Sequence, residues 1–183
     1  MVKGQIRMGI DWEAIAGCVG GFGEDGNERI VGTPGGRRAI EILLGEQNLR
    51  DAVDYWLLRK PGCFTAEMVL KIIRPKVAME RCYEIYKTES DRMRACSAVF
   101  LLAAFANDEV LPWIFEFLDD SQPEIRWNGL HVLRYVLYDP VSDTSVATAV
   151  KLLNKADSDS DSDIKIRNLA AEVRRQLARH ERT

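Results

Sequence analysis

A recurring pair of helical segments is the feature that most constrains how this chain folds. The segments that begin at Pro75, Asp108 and Asp143 start 33 and 35 residues apart, and a polar loop and a second helical segment follow each of them. A repeat of 30-odd residues built from two helices is typical of an α-solenoid, in which each pair buries its apolar side against the next pair. The sequence therefore predicts an all-α fold of stacked helix pairs.

The second helices of the three pairs share a local pattern. Each starts with an apolar residue and an arginine: Met93-Arg94, Ile125-Arg126 and Ile166-Arg167. Counted from the apolar residue, position four is small, and positions five and seven are apolar (Ser97, Gly129, Ala170; Ala98, Leu130, Ala171; Phe100, Val132, Val173). These positions share one side of a helix, so we expect a common buried stripe that admits a neighbouring helix at the small residue. We predict that the arginines form a structural row that bridges acidic loop residues of adjacent helix pairs: Arg94, Arg126 and Arg167.

Glycine usage divides the chain near residue 36. Ten of the thirteen glycines lie within residues 1–36, which we predict to be an irregular N-terminal extension, and residues 37–183 form the predicted helical repeat domain. Within the domain, capping side chains mark the expected helix starts: Asn48, Thr65, Asn107 and the pair Ser121 and Glu124. Such side chains satisfy the free backbone N–H groups of a first helical turn.

Composition and charge exclude several classes of protein. The formal net charge of −3 supplies no broad cationic field of the kind that nucleic-acid binders use. The four cysteines form no close pair, and no secretory leader opens the chain, so we expect a cytoplasmic protein with free thiols. The apolar stretch at residues 95–106 is too short to cross a bilayer and is expected to be a buried helix.

Residues 110–137 carry a resemblance to a known family. An apolar helix with an early proline, an acidic loop with a second proline, and an apolar–arginine pair follow one another there: Pro112, Asp119, Asp120, Pro123, Ile125 and Arg126. This segment resembles a HEAT repeat, in particular the short repeats of the bilin-lyase-like subgroup, and the similarity extends over residues 75–180. The resemblance implies a right-handed HEAT-like superhelix whose second helices line a concave face, in a protein of bacterial type.

Three motifs resemble ligand sites but lack part of what those sites need. The alternating carboxylates of residues 157–163 fail as a calcium loop, because Ser162 and Asn168 stand where glycine and a bidentate glutamate are required. We expect a solvated loop at residues 156–163. GFGEDG at residues 21–26 lacks the strand and helix of a dinucleotide site, and GTPGGRR at residues 32–38 is expected to be a loop and helix start rather than an anion nest.

The sequence supplies no convergent set of catalytic residues, and we expect neither a cofactor nor a metal. His131 has no cysteine or carboxylate at metal or triad spacing, and His180 lies near the C-terminus. Cys82 and Cys96 fall on apolar helix faces and are expected to be structural.

One helix carries the candidate binding residues: Trp127, Asn128, His131, Arg134 and Tyr135. They lie on a surface that the repeat pattern does not commit to the core, and exposed Trp, Tyr and Arg are typical of binding hot spots. The sequence thus predicts a non-enzymatic scaffold that binds another protein on its concave face. One alternative is an accessory factor for bilin attachment or phycobiliprotein handling, with lyase-type activity, and a second is a HEAT-like DNA-base glycosylase.

Overall fold

The described part of the chain is helical throughout, apart from its connecting loops. The structure is a computed structural model, and it describes residues 34–139, 141–158 and 164–180. In chain order the elements are α1 (Pro34–Leu44), α2 (Glu46–Leu57), α3 (Cys63–Ile73), α4 (Lys76–Thr88), α5 (Arg92–Ala103), a short 3-10 helix (Asp108–Val110), α6 (Leu111–Leu118), α7 (Pro123–Val136), α8 (Asp143–Ser158) and α9 (Ile164–His180). These described ranges contain no strand, which confirms the predicted all-α class.

The predicted N-terminal extension lies almost wholly outside the described residues. The description begins at Pro34, which is also the first residue of α1, so helix starts two residues before the predicted boundary at residue 36. The GFGEDG motif and the carboxylates of residues 159–163 are likewise outside the described ranges. Residues 156–158 of the predicted loop belong to α8, which continues to Ser158.

Side-chain caps open two of the helices, and the cap at Asn107 confirms a predicted start. The Asp91 carboxylate accepts the backbone N–H of Met93 at 2.9 Å and opens α5. The Asn107 side chain accepts the N–H of Glu109 at 3.0 Å and opens the 3-10 helix that leads into α6. Both side chains satisfy donors that a first turn leaves unpaired.

Three other predicted starts are wrong. Helices α2 and α3 begin directly after glycines, at Gly45 with φ 75° and Gly62 with φ 91°, so Asn48 and Thr65 lie inside the first turn of each helix. A sharp reversal with positive φ favours glycine over a capping side chain. Helix α7 follows Gln122 without a side-chain cap, so the predicted Ser121–Glu124 box is not formed.

Helices close in sequence pack against one another. Within the last three helix pairs, α4 packs on α5, α6 on α7, and α8 on α9. The second helices contact each other in chain order, because α7 packs against both α5 and α9, while α6 packs on α8. At the N-terminal end, α2 packs on α4 and α5, and α1 packs on α2 and α3.

The predicted buried stripe holds for two of the three second helices. Ile125 and Val132 of α7 are buried, and so are Ile166 and Val173 of α9, although Ala171 is exposed. Gly129 is the close-approach residue that the pattern predicted, since a Cβ built on it would lie 2.8 Å from the Cβ of Phe117 in α6.

In α5 the predicted stripe is confirmed at Ala98, which is buried, and wrong at both ends. Met93 is 73% exposed and Phe100 is 46% exposed, whereas Ala95, Val99 and Leu102 are buried. The physical reason lies in the first turn of the helix, where Met93 is flanked by two arginines that reach out to acidic side chains. Burial therefore starts two residues later than the repeat pattern indicates.

The arginines of the predicted row make different contacts. Arg92 pairs with Asp120 of the next helix pair at 2.5 Å. The sequence pattern predicts a bridge of this kind for Arg94, two residues further along the chain. Arg94 contacts Glu89 at 3.2 Å and Asp54 at 3.8 Å. Arg126 donates to the carbonyl oxygens of Asp120 and Ser121, at 2.9 and 3.2 Å, and Arg167 is exposed.

A polar cluster joins α4 to α6. The Tyr83 ring stacks on Trp113 with centroids 4.7 Å apart, and its hydroxyl donates to the Glu116 carboxylate. Lys87 donates to the same carboxylate at 2.6 Å. These two donors, Lys87 foremost, lower the pKa of Glu116. The cluster thus ties neighbouring helix pairs with charge-assisted bonds.

Candidate functional site

A small cavity opens between four helices. Its volume is about 180 Å³, and residues of α2, α3, α5 and α7, with one from the loop after α5, line it: Trp56, Glu67, Lys71, Phe100, Leu101, Ala103, Ala104, His131 and Tyr135. Most of these side chains are apolar or aromatic, with one ion pair among them. Such a combination is typical of a recognition pocket, in which apolar walls supply affinity and a few polar groups supply orientation.

The floor of the cavity is Trp56, which is only 1% exposed. It ends the buried stripe of α2, and its indole N–H donates to the Glu67 carboxylate of α3 at 2.7 Å. Lys71 pairs with the other oxygen of that carboxylate, also at 2.7 Å. The guanidinium of Arg59 lies 3.5 Å from the centre of the Trp56 ring. Together these contacts fix the orientation of the indole.

Two exposed aromatic side chains stand at the cavity. Phe100 of α5 is 46% exposed and stacks on Trp56 with ring centroids 6.2 Å apart. Tyr135 of α7 is 45% exposed and lies 5.7 Å from the ring of Tyr138. Large aromatic side chains left half-exposed beside an apolar cavity mark a surface that gains by being covered.

His131 lies half-buried at this site. Burial lowers the pKa of its imidazole, and the nearby Arg134 guanidinium lowers it further, against a smaller opposing effect of Glu172. Its ring meets the ring of Trp127 edge to face, with centroids 4.0 Å apart. The lowered pKa favours the uncharged imidazole at neutral pH.

The structure brings four of the five predicted binding residues onto one side of α7. His131 and Tyr135 line the cavity, and Trp127 packs half-buried against His131. Arg134 pairs with Glu172 of α9 at 3.3 Å and donates to the Tyr138 hydroxyl at 3.1 Å.

Asn128, the fifth predicted residue, lies in the core and not on this surface. It is 4% exposed, and its amide donates to the carbonyl oxygen of Cys96 at 3.3 Å and to the Cys96 sulfur at 3.2 Å. An amide that bonds a helix carbonyl across an interface positions the two helices. Asn128 thereby joins α7 to α5.

Sequence reasoning missed the part of the site that other helices supply. The repeat pattern predicts Phe100 in the buried stripe, and the Glu67–Lys71 pair of α3 belongs to a segment outside the clear repeats. The i to i+4 spacing of that acid and base is visible in the sequence, but it is equally typical of an exposed helix surface.

The described residues hold little that suggests catalysis. Cys82 is fully buried, and burial raises the pKa of its thiol; burial also raises the pKa of the Cys96 thiol. Within residues 34–139, 141–158 and 164–180, no three His, Cys, Asp or Glu side chains gather as a metal site would require. None of the helices in these ranges combines the length and the apolar character that crossing a membrane demands.

Comparison with known proteins adds no family to these observations. No protein-family model matches the chain, and no curated protein or solved structure matches it. The likeness to HEAT repeats therefore rests on the sequence pattern alone.

Proposed function

We propose that this chain is a protein-binding module of the HEAT-like α-solenoid type, which binds its partner on the face formed by α5 and α7. This α5–α7 face consists of Phe100, His131, Arg134 and Tyr135 around the cavity. The architecture is supported by the order of the helix contacts, since α5, α7 and α9 pack in sequence, each paired with the helix before it. In a HEAT-like array these second helices line the concave face.

The observation that carries the proposal is the pair of half-exposed aromatic side chains, Phe100 and Tyr135, at a cavity whose floor is held in place. A few residues in well-packed pockets supply most of the binding energy of a protein interface, and Trp, Tyr and Arg are enriched among them. The hydrogen bond that holds the Trp56 indole also preorganises the cavity, because a partner group that enters it does not have to order this side chain first.

The size of the cavity favours a protein partner over a tetrapyrrole. Small-molecule sites usually enclose roughly 300–1,000 Å³, whereas this cavity has a volume of about 180 Å³. That space suits a single side chain of a protein. A bilin, with four linked pyrrole rings, is far larger.

Affinity capture with matched variants tests the proposal. The tagged protein is used to capture its partner from a lysate of the native host, beside a Phe100→Ser/Tyr135→Ser variant and a control, Ile42→Ser/Leu43→Ser. The control removes two exposed apolar side chains of α1 that do not line the cavity. We expect the first variant to lose the partner at least tenfold and the control to retain it.

Retention of the partner by the Phe100→Ser/Tyr135→Ser variant, at wild-type level, refutes the assignment of this face. Circular dichroism of each variant confirms that a loss of capture reflects the surface and not unfolding, since all four changes are at exposed positions.

A further inference from the structure

Arg59 stands in an unfavourable backbone conformation, with its guanidinium over the Trp56 ring that forms the floor of the cavity. It follows α2 with φ 53°, in the left-handed region where a glycine is the usual residue after a helix end. Arg74 takes the same conformation after α3, with φ 51°. A strained arginine persists when the surrounding structure holds it, and such residues concentrate at functional positions.

The two arginines differ in what their side chains contact. Arg74 forms an ion pair with Asp139 at the end of α7, which gives its position a structural explanation. The Arg59 guanidinium lies over the Trp56 ring, and none of the carboxylates in the described residues lies within 4.0 Å of it. The side chain is exposed, so its charge is available to another molecule.

The other cations near the cavity already have carboxylate partners. Lys71 pairs with Glu67 at 2.7 Å, and Arg134 pairs with Glu172 at 3.3 Å. Among the described residues at this site, Arg59 therefore carries the surplus charge. That local surplus is positive on a chain whose formal net charge is −3, so it favours an acidic partner at this point.

The volume of the cavity limits what enters it. An apolar cavity of about 150 Å³ accepts one benzene molecule, and this one measures about 180 Å³. Its walls offer the half-exposed ring of Phe100 for ring contacts, and the lowered pKa of His131 favours an uncharged imidazole there. One aromatic side chain of a partner fits that space and those walls.

We infer that the α5–α7 face binds a partner segment in which an aromatic residue is flanked by carboxylates: the ring enters the cavity beside Phe100, and a carboxylate pairs with Arg59. The inference rests on the proposed function and adds to it the chemistry of the partner. A planar guanidinium already stacked on an indole presents its edge N–H groups to a carboxylate, which it binds in two parallel hydrogen bonds.

Peptide titration followed by NMR tests the inference. The probes are three ten-residue peptides of glycine and serine with a central triplet, Asp-Phe-Asp, Lys-Phe-Lys or Asp-Ala-Asp, and a fourth probe is a twelve-nucleotide uridine RNA. We expect the Asp-Phe-Asp peptide to shift the backbone amide signals of Phe100, His131 and Tyr135. Its dissociation constant should be at least tenfold lower than those of the other two peptides and of the RNA.

Two arginine variants separate charge from backbone strain. Arg59→Gly removes the guanidinium and relieves the left-handed strain, so we expect an unfolding midpoint no lower than wild type together with at least fivefold weaker peptide binding. Arg74→Gly removes a cation from an equivalent backbone position, where the guanidinium pairs with Asp139 and not with the Trp56 ring, so peptide binding should stay within twofold of wild type.

Three results overturn the inference: equal or tighter binding of the Lys-Phe-Lys peptide or the RNA at the same amides, unchanged peptide binding by Arg59→Gly, or binding of none of the peptides. The captured partner distinguishes this failure from that of the proposed function. If Phe100→Ser/Tyr135→Ser loses the partner while Arg59→Gly retains it, the face is correct and the acidic contact is wrong.

Discussion

Gly129 is the position at which a single methyl group tests how tightly the helices pack. In α7 it faces α6, and a Cβ there would lie 2.8 Å from the Phe117 Cβ and 3.7 Å from a methyl carbon of Leu118. Carbon atoms in favourable contact are about 3.5–4.0 Å apart. Gly129→Ala therefore requires α6 and α7 to separate by roughly 1 Å, given that spacing.

The magnitude follows from two opposing effects. Alanine in place of a helical glycine stabilises a helix by about 1 kcal/mol. Overpacking a tight interface costs about 1–3 kcal/mol, and the upper half of that range applies because the Phe117 Cβ is attached to a buried backbone and cannot rotate away. We expect Gly129→Ala to lower the free energy of unfolding by about 1–2 kcal/mol.

Urea unfolding followed by circular dichroism measures this change, with Ala171→Gly as the control. Ala171 is exposed in α9, so its replacement removes helix propensity alone and should cost about 1 kcal/mol. Each kcal/mol corresponds to a melting shift of about 2–4 °C for a chain of this size. A Gly129→Ala protein more stable than wild type would refute the close contact, because only an unobstructed helix position gains from alanine.

Three further changes probe pH and burial. Burial lowers the pKa of His131 in the folded chain, so the unfolded chain binds this proton at a higher pH than the folded chain does. The free energy of unfolding should therefore fall as the pH drops below 6.5, and His131→Asn should lose that part of the pH dependence. Lys87 and Tyr83 lower the pKa of Glu116, so its contribution to stability is complete above pH 4.5 and is lost as the pH falls below that value. Glu116→Gln should therefore make the urea midpoint change less between pH 5 and pH 3. Asn128→Asp places a carboxylate against the Cys96 carbonyl oxygen in the core and should cost about 3 kcal/mol or more at pH 8, with partial recovery on acidification; equal stability at pH 8 would contradict the burial of this side chain.

The presence of helices could be predicted from the sequence because the residues that start a helix act on their immediate neighbours. Asp91 and Asn107 cap their helices through side chains that reach only two residues along the chain. The starts at Gly45 and Gly62 were not predicted, because a capping-type residue a few positions later is an equally good local signal. The choice between the two depends on the angle at which successive helices meet, and that angle is a property of packing.

The cavity was predictable only from the α7 side. The spacing of His131, Arg134 and Tyr135 places them on one side of a single helix, and the structure keeps them there. The repeat pattern predicts a buried Phe100 because it aligns α5 with α7 on their arginines, whereas the buried positions of α5 are shifted by two residues from that alignment. Rotation about a helix axis is set by contacts such as the Arg92–Asp120 pair, which joins residues far apart in sequence.

Opposite requirements act on the two sides of α7. On the α6 side the missing side chain of Gly129 permits a backbone approach that no other residue allows without displacement. On the cavity side Tyr135 stays half-exposed, although burying an aromatic ring would stabilise the fold. A helix selected for stability alone would cover that ring or replace it with a polar residue. The combination is what a binding surface needs, because the tight contact on one side holds the exposed side chains of the other in a fixed position for a partner.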